Sequence, residues 1–149
     1  MAGFLIDTNV LVYSYDQTNG TKRDRAGIVL DALATSGEAA FSTQILGEFF
    51  VTATRKIPAP LPIEDAANQI LYLIESSNVF EVTTPVVIEA LRGVIDHRLP
   101  YYDSLVWATA RLNQITTILT EDGQHNRLVE GVRYLNPFHP EFDLQLLAP

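Results

Sequence analysis

Short apolar runs alternate with longer stretches of helical periodicity along the chain. Gly3-Phe4-Leu5-Ile6 reads as a buried strand, residues 9–15 as a short apolar helix, and 16–20 as a polar turn. Across 22–35, Ala26, Val29, Leu30, Leu33 and Ala34 recur on one helix face. A brief strand over 39–41 precedes a helix over 43–55. In Ile57-Pro58-Ala59-Pro60-Leu61-Pro62 three alternate prolines favour an extended connection, too short to separate a pair of domains. A helix over 64–76, a strand over 79–82 and a helix over 84–97 follow. Thr84-Pro85 supplies a capping hydroxyl and a proline suited to a helix start, and Pro100 bars continuation beyond that helix. The pattern then predicts a helix over 103–114, strands over 116–119 and 132–135, and a surface tail over 136–149. Strands alternating with helices predict an α/β fold with a parallel sheet covered on both faces.

The length, 149 residues with 47% hydrophobic and 19% charged, fits one domain with a real core and excludes a disordered chain. Absence of cysteine removes disulfides, thiolate zinc sites and cysteine nucleophiles. No apolar run approaches the ~18 residues of a membrane span. Met1-Ala2-Gly3-Phe4 carries no basic leader, so the expectation is a cytoplasmic protein without signal peptide. A net charge of −8 argues against a simple nucleic-acid binder but not against an enzyme that gathers carboxylates around a cation. The positions of the acids are therefore more informative than their sum.

Ligands of open parallel sheets bind beyond the carboxyl ends of the strands. Asp7 ends the first strand and Asp122 follows the fourth, although each would also serve as an ordinary cap or turn residue. Glu48 lies in the apolar segment Ile45-Leu46-Gly47-Glu48-Phe49-Phe50-Val51, where a carboxylate needs a partner, a metal or a narrow polar stripe shared with Gln44, Thr52 and Arg55. Asp103 stands at the predicted start of a helix, as a cap or as a ligand. Two strand ends and two helices leading from such ends bring the four acids towards one rim. Clustered carboxylates repel unless a cation neutralises them, and hard oxygen donors suit Mg²⁺ or Mn²⁺. Phosphodiester hydrolysis is the chemistry such a site implies.

Four segments carry a resemblance that covers residues 3–138. They are Phe4-Leu5-Ile6-Asp7-Thr8-Asn9-Val10-Leu11, Ser42-Thr43-Gln44-Ile45-Leu46-Gly47-Glu48-Phe49, Tyr102-Asp103-Ser104-Leu105-Val106-Trp107-Ala108-Thr109-Ala110, and Leu119-Thr120-Glu121-Asp122-Gly123-Gln124-His125. In order and spacing the chain resembles PIN-domain ribonucleases, and among them the VapC-type toxins of toxin–antitoxin pairs. The resemblance implies a three-layer α/β/α domain over 1–138, with a central parallel sheet of about five strands and 139–149 as its C-terminal tail. It implies Asp7, Glu48, Asp103 and Asp122 as the catalytic and metal-binding quartet around Mg²⁺ or Mn²⁺, with Asp7 and Asp103 the most direct ligands. Asn9 and Thr120 would support those acids. It further implies an RNA substrate, a cognate antitoxin that often inserts an Arg-bearing segment among the acids, and a homodimer formed through apolar helix faces in the middle of the chain. Gly123 departs from the apolar residue common at that point, and Glu121 competes with Asp122 for the metal-facing role.

Other residues stay secondary. His97, His125 and His139 lack a partner that the sequence identifies, and Ser14, Ser42 and Ser104 lie in no nucleophile-elbow pattern. Lys22-Arg23-Asp24-Arg25, Arg55-Lys56, Arg92 and Arg98 are candidate phosphate contacts or solvated helix faces. Tyr13, Tyr15, Phe49 and Phe50 could stack on bases, though packing suits the two Phe better, as it does Tyr101 and Tyr102. Asp7-Thr8-Asn9-Val10 is also similar to the nucleophile motif of haloacid dehalogenase-like phosphatases, but Asn9 replaces its second Asp and the acid–base step would be lost. A PIN-fold interaction module without turnover, or a housekeeping nuclease, are the remaining alternatives. The intact quartet speaks against lost activity.

Overall fold

The computed structural model describes residues 3–148; Met1, Ala2 and Pro149, the ends of the expected domain and tail, lie outside the described residues. Its elements run β1 (Phe4–Ile6), α1 (Thr8–Tyr13), α2 (Gly20–Ser36), β2 (Ala39–Ser42), α3 (Thr43–Arg55), α4 (Ile63–Ser76), β3 (Asn78–Phe80), α5 (Thr84–His97), α6 (Tyr101–Leu112), β4 (Thr117–Leu119), β5 (Leu128–Val129), β6 (Val132–Leu135) and a 3₁₀ turn (Leu144–Leu147). The α/β architecture is as expected, with the sheet between helical layers.

The strand order is β3-β2-β1-β4-β6-β5. Pairing is parallel from β3 through β6, and β5 runs antiparallel to β6. The sheet therefore has six strands where the sequence pattern predicted about five. The extra strand is two residues long, too short for a periodicity signal. Its hairpin turns on Glu130 and Gly131, with φ of 47° and 82°, the doubly left-handed geometry of a tight two-residue turn. After β3 the chain returns to the far side of β1, so the strand order reverses between β1 and β4. A crevice forms at such a reversal, outside the carboxyl ends of the strands.

Several features differ from the sequence pattern for physical reasons. Asp103 is not the cap of α6: the helix starts at Tyr101, directly after Pro100, because proline is tolerated before the first hydrogen-bonded turn. The cap of α5 is Thr83, whose hydroxyl accepts from the Val86 amide, rather than Thr84. Helix α2 begins at Gly20, where Asn19 accepts from the Lys22 amide. The segment after 136 does more than lie over the surface, since Phe142 and Leu147 are buried in the same core as the sheet.

That core is built from β1, β2 and β4, with Leu5, Ile6, Phe41, Ile118 and Leu119 essentially inaccessible. Phe49 of α3 and Trp107 of α6 fill it from the helices. Trp107 also donates from Nε1 to the Val129 carbonyl at 3.1 Å, tying α6 to the β5–β6 hairpin. The same hairpin is clamped from outside by Arg92 and Arg111, both paired with Glu89 and with Glu130.

Candidate active site

Asp7 is placed by the sheet. Its amide donates to the Leu119 carbonyl at 2.9 Å, so the residue leaving β1 is locked to the end of β4. Extended backbone at Asp7 makes it the N-cap of α1, and its carboxylate accepts from the Thr8 amide at 2.8 Å. The other oxygen accepts from the Thr120 hydroxyl, also at 2.8 Å. Only 9% of Asp7 is exposed.

Asn9 and Thr120 stitch the neighbouring loop to α1. Asn9 donates from Nδ2 to Thr120 Oγ1 at 3.1 Å and to Asp122 Oδ2 at 3.3 Å. Its own carbonyl oxygen accepts from the Glu121 amide, and the Asp122 amide donates to Thr120 Oγ1 at 3.0 Å. The loop after β4 is thereby held with Asp122 facing Asp7. Asp103 arrives from the first turn of α6, on the opposite wall. Carboxylate oxygens of Asp7, Asp103 and Asp122 all lie within 4.8 Å of one another.

Glu48 stands beside this trio rather than in it. It lines the same cleft as Asp7, Asp103 and Asp122. Thr8 donates from its hydroxyl to one Glu48 oxygen at 2.8 Å, and Gln44 reaches the other at 3.4 Å. Thr8 is a polar contributor that the sequence pattern did not single out; its position between two site residues was the available signal. Glu121 turns away, taken up by Lys22 and by the Tyr13 hydroxyl.

Of the remaining candidates, Tyr13 lines the same cleft as the four acids, and those tied to partners of their own serve the fold. His97 pairs with Glu130, and His125 stacks on His139 at 4.3 Å while its Nδ1 accepts from the Asn136 amide. Ser14 and Ser104 donate to backbone carbonyls of Leu11 and Ala90, and Ser42 caps α3. Tyr13 packs edge-on against Phe138, and Tyr15 against the buried Phe49. Lys22 and Arg92 are committed to ion pairs.

Burial dominates the electrostatics. It pushes the Asp7 carboxyl up to about 6, against the lowering pull of the Thr120 and Thr8 hydrogen bonds and with added repulsion from Asp122 and Asp103. Asp103 is raised as well, first by burial and then by Asp122 and Glu48. Among the described residues no Lys, Arg or His forms an ion pair with any of the trio. Three converging carboxylates that lack a cationic partner fit a hard divalent cation, which favours all-oxygen donors.

The raised Asp7 pKa has a sign that can be tested. An acid whose folded pKa exceeds its unfolded value costs stability as pH rises, beginning near 4 and complete above about 6. A rise of about two units corresponds to about 3 kcal/mol at neutral pH. Metal-free wild type is expected to lose melting temperature relative to metal-free Asp7→Asn as pH rises from 4 to 7.5, on top of a pH-independent loss in the variant, whose amide cannot accept from both the Thr8 amide and the Thr120 hydroxyl. Thermal melts in EDTA across that range check it; a gap independent of pH would contradict it.

A family profile for the PIN domain matches residues 4–131. No curated protein matches the chain. Among solved structures, one similar chain comes from a toxin–antitoxin complex of Klebsiella pneumoniae, at TM-score 0.67 and 18% identity over 93% of this chain and 98% of that one. A chain of the DNA-bound VapBC complex of Salmonella typhimurium gives 0.63 and 19%, covering 92% and 99%. VapC20 of Mycobacterium tuberculosis, described as a sarcin–ricin loop cleaving toxin, gives 0.62 and 17%, covering 82% and 92%.

Proposed function

Because the chain belongs to the PIN domain family, we propose that it is a Mg²⁺- or Mn²⁺-dependent endoribonuclease and the toxin of a type II toxin–antitoxin pair. The observation that carries this reading is the trio Asp7, Asp103 and Asp122, gathered at the strand-order reversal with no ion pair to a cationic side chain among the described residues. These three would hold the cation, which when bound activates water and stabilises charge developing on a phosphoryl group.

The chain's own residues do the positioning. Thr120 and the Thr8 amide fix both oxygens of Asp7, and Asn9 fixes Asp122. Glu48, held by Thr8, lies along the same cleft, where it would orient the attacking water. Preorganised charge of this kind needs no rearrangement when the phosphodiester reacts.

A cognate antitoxin belongs to the reading, supported by similarity to chains solved in toxin–antitoxin complexes. A chain of net charge −8 with an acid-lined cleft suits a basic peptide. So does a homodimer: Ile88, Leu91 and Ile95 form an exposed apolar stripe along α5, Ile95 being 78% exposed. Sedimentation of the purified chain reads that state directly. The reading sets this action in the cytoplasm. Among the described residues no helix is long and apolar enough to cross a membrane.

The test of the activity is incubation of the purified chain with structured and single-stranded RNA. Cleavage is expected with Mn²⁺ or Mg²⁺ and none in EDTA. Cleavage undiminished by EDTA, or intact RNA under every cation, would overturn the reading.

A further inference from the structure

The cleft that holds the four acids, about 390 Å³, runs on into a groove of about 400 Å³ along the outer side of α3. Thr8, Glu48 and Thr52 wall both, and Gly47, Val51 and Lys56 complete the second. Glu48, Thr52 and Lys56 recur at every fourth position and so share one face of the helix. Eight residues of helix rise about 12 Å, which is how far Lys56 lies along the axis from Glu48.

The fold leaves residues of this groove without a task. Gly47 stands exposed in the middle of α3, and a Cβ there would meet nothing within 4 Å. Helix propensity disfavours glycine at such a position, and no packed neighbour inside the chain requires it. What its missing side chain leaves is an open floor, over which a ligand backbone can approach α3 closely. Lys56 is exposed and forms no ion pair among the described residues, and the same holds for Arg55 beside it. Between Gly47 and Lys56, the half-buried Thr52 makes no side-chain hydrogen bond among the described residues.

Charge along the groove selects its occupant. One end has four carboxylates, suited to a divalent cation, and the other has Lys56 and Arg55. A basic peptide is repelled at the second end. A polynucleotide satisfies both, with one phosphate on the cation held by the acids and a later phosphate at Lys56.

We propose that the RNA strand leaves the acid cleft along α3, crossing Gly47 and Thr52, with Lys56 holding a phosphate beyond the scissile one. The inference rests on the ribonuclease reading above and adds the path and the length of the footprint. At ~3.4 Å per nucleotide of a stacked strand, the distance from Glu48 to Lys56 is roughly three or four nucleotides, and fewer of an extended one.

The test is binding in EDTA, where no cleavage intervenes. Fluorescence anisotropy follows a labelled uridine dodecamer across a salt series. Lys56→Ala is expected to weaken binding about three- to tenfold and to lower the slope of log K against log salt by about 0.7, the loss of one single-strand phosphate contact. Gly47→Gln should weaken it about as much with the slope unchanged, and with a melting temperature no lower than wild type, since glutamine is the better helix former. Arg23→Ala, the same charge change on α2 outside both clefts, should stay within about twofold. Binding unaltered in Lys56→Ala or in Gly47→Gln, a loss no greater than in Arg23→Ala, or no RNA binding by wild type overturns the proposal. Groove-dependent binding by a chain that cleaves no RNA would retire the ribonuclease reading and leave the groove standing. Cleavage by wild type with full binding by both groove variants would do the reverse.

Discussion

Asp103→Asn is expected to lower RNA cleavage by roughly 10²–10³-fold or more, the scale of losing one preorganised electrostatic contact in a reacting site. The substitution is clean because of where Asp103 lies. It sits in the first turn of α6, its helix is started by Pro100, and its carboxylate caps nothing. The amide replacement therefore removes a charge without removing a structural hydrogen bond. In EDTA the variant should melt at or above the wild-type temperature, since burial and the charges of Asp122 and Glu48 already oppose ionisation there. Millimolar Mn²⁺ should raise the melting temperature of wild type by several degrees, as a ligand at 100 times its Kd adds about 2.7 kcal/mol. The rise should vanish in Asp103→Asn. Glu121→Gln is the internal control: that acid is engaged by Lys22 and Tyr13, so cleavage should stay within about threefold. Cleavage by Asp103→Asn within tenfold of wild type would remove the residue from the site.

Gly93→Ala is expected to be the most damaging single methyl in the fold. Helix propensity alone favours Ala over Gly by about 1 kcal/mol in a helix interior. Gly93 reverses the sign. A Cβ there would fall 2.3 Å from the Ser104 hydroxyl oxygen and 2.8 and 2.9 Å from atoms of the Trp107 ring. Ser104 is itself tied to the Ala90 carbonyl at 2.7 Å, and Trp107 to Val129, so neither neighbour yields freely. Forcing α5 from α6 should cost about 1–3 kcal/mol beyond the lost propensity gain, a fall of several degrees. Because Asp103 precedes Ser104, metal-dependent stabilisation should fall with it. Differential scanning calorimetry of the variant checks both; an unchanged or raised melting temperature would mean that the two helices separate at little cost.

Three of the four candidate acids have a local reason to stand out in the sequence. Asp7 and Asp122 end apolar runs, and Glu48 interrupts one. Long helices such as α3 and α5 were equally readable, since periodicity over thirteen or fourteen residues is a strong signal. What escaped was whatever depended on distant contact. β5 has two residues and exists because β6 pairs with it. In the sequence Asp103 imitates a cap, whereas Pro100 fills that position and α6 starts at Tyr101. The tail carried no period, yet Phe142 and Leu147 find the core. Local pattern likewise could not separate Glu48 from the trio, because the distinction lies in the Thr8 hydroxyl across α1 and α3.

The place of β1 in the middle of the sheet bears on how the protein is made. Its partner on one side, β2, follows within forty residues, but its partner on the other, β4, begins only at Thr117. During synthesis the first strand waits with one apolar edge unpaired while more than two thirds of the chain emerges. The same wait applies to the carboxylates, since Asp7 is translated early and Asp122 late. A ribosome stalled at any codon before that point carries a stub without a complete trio. The acid trio is thus assembled only when the segment after β4 has emerged and that strand has joined β1.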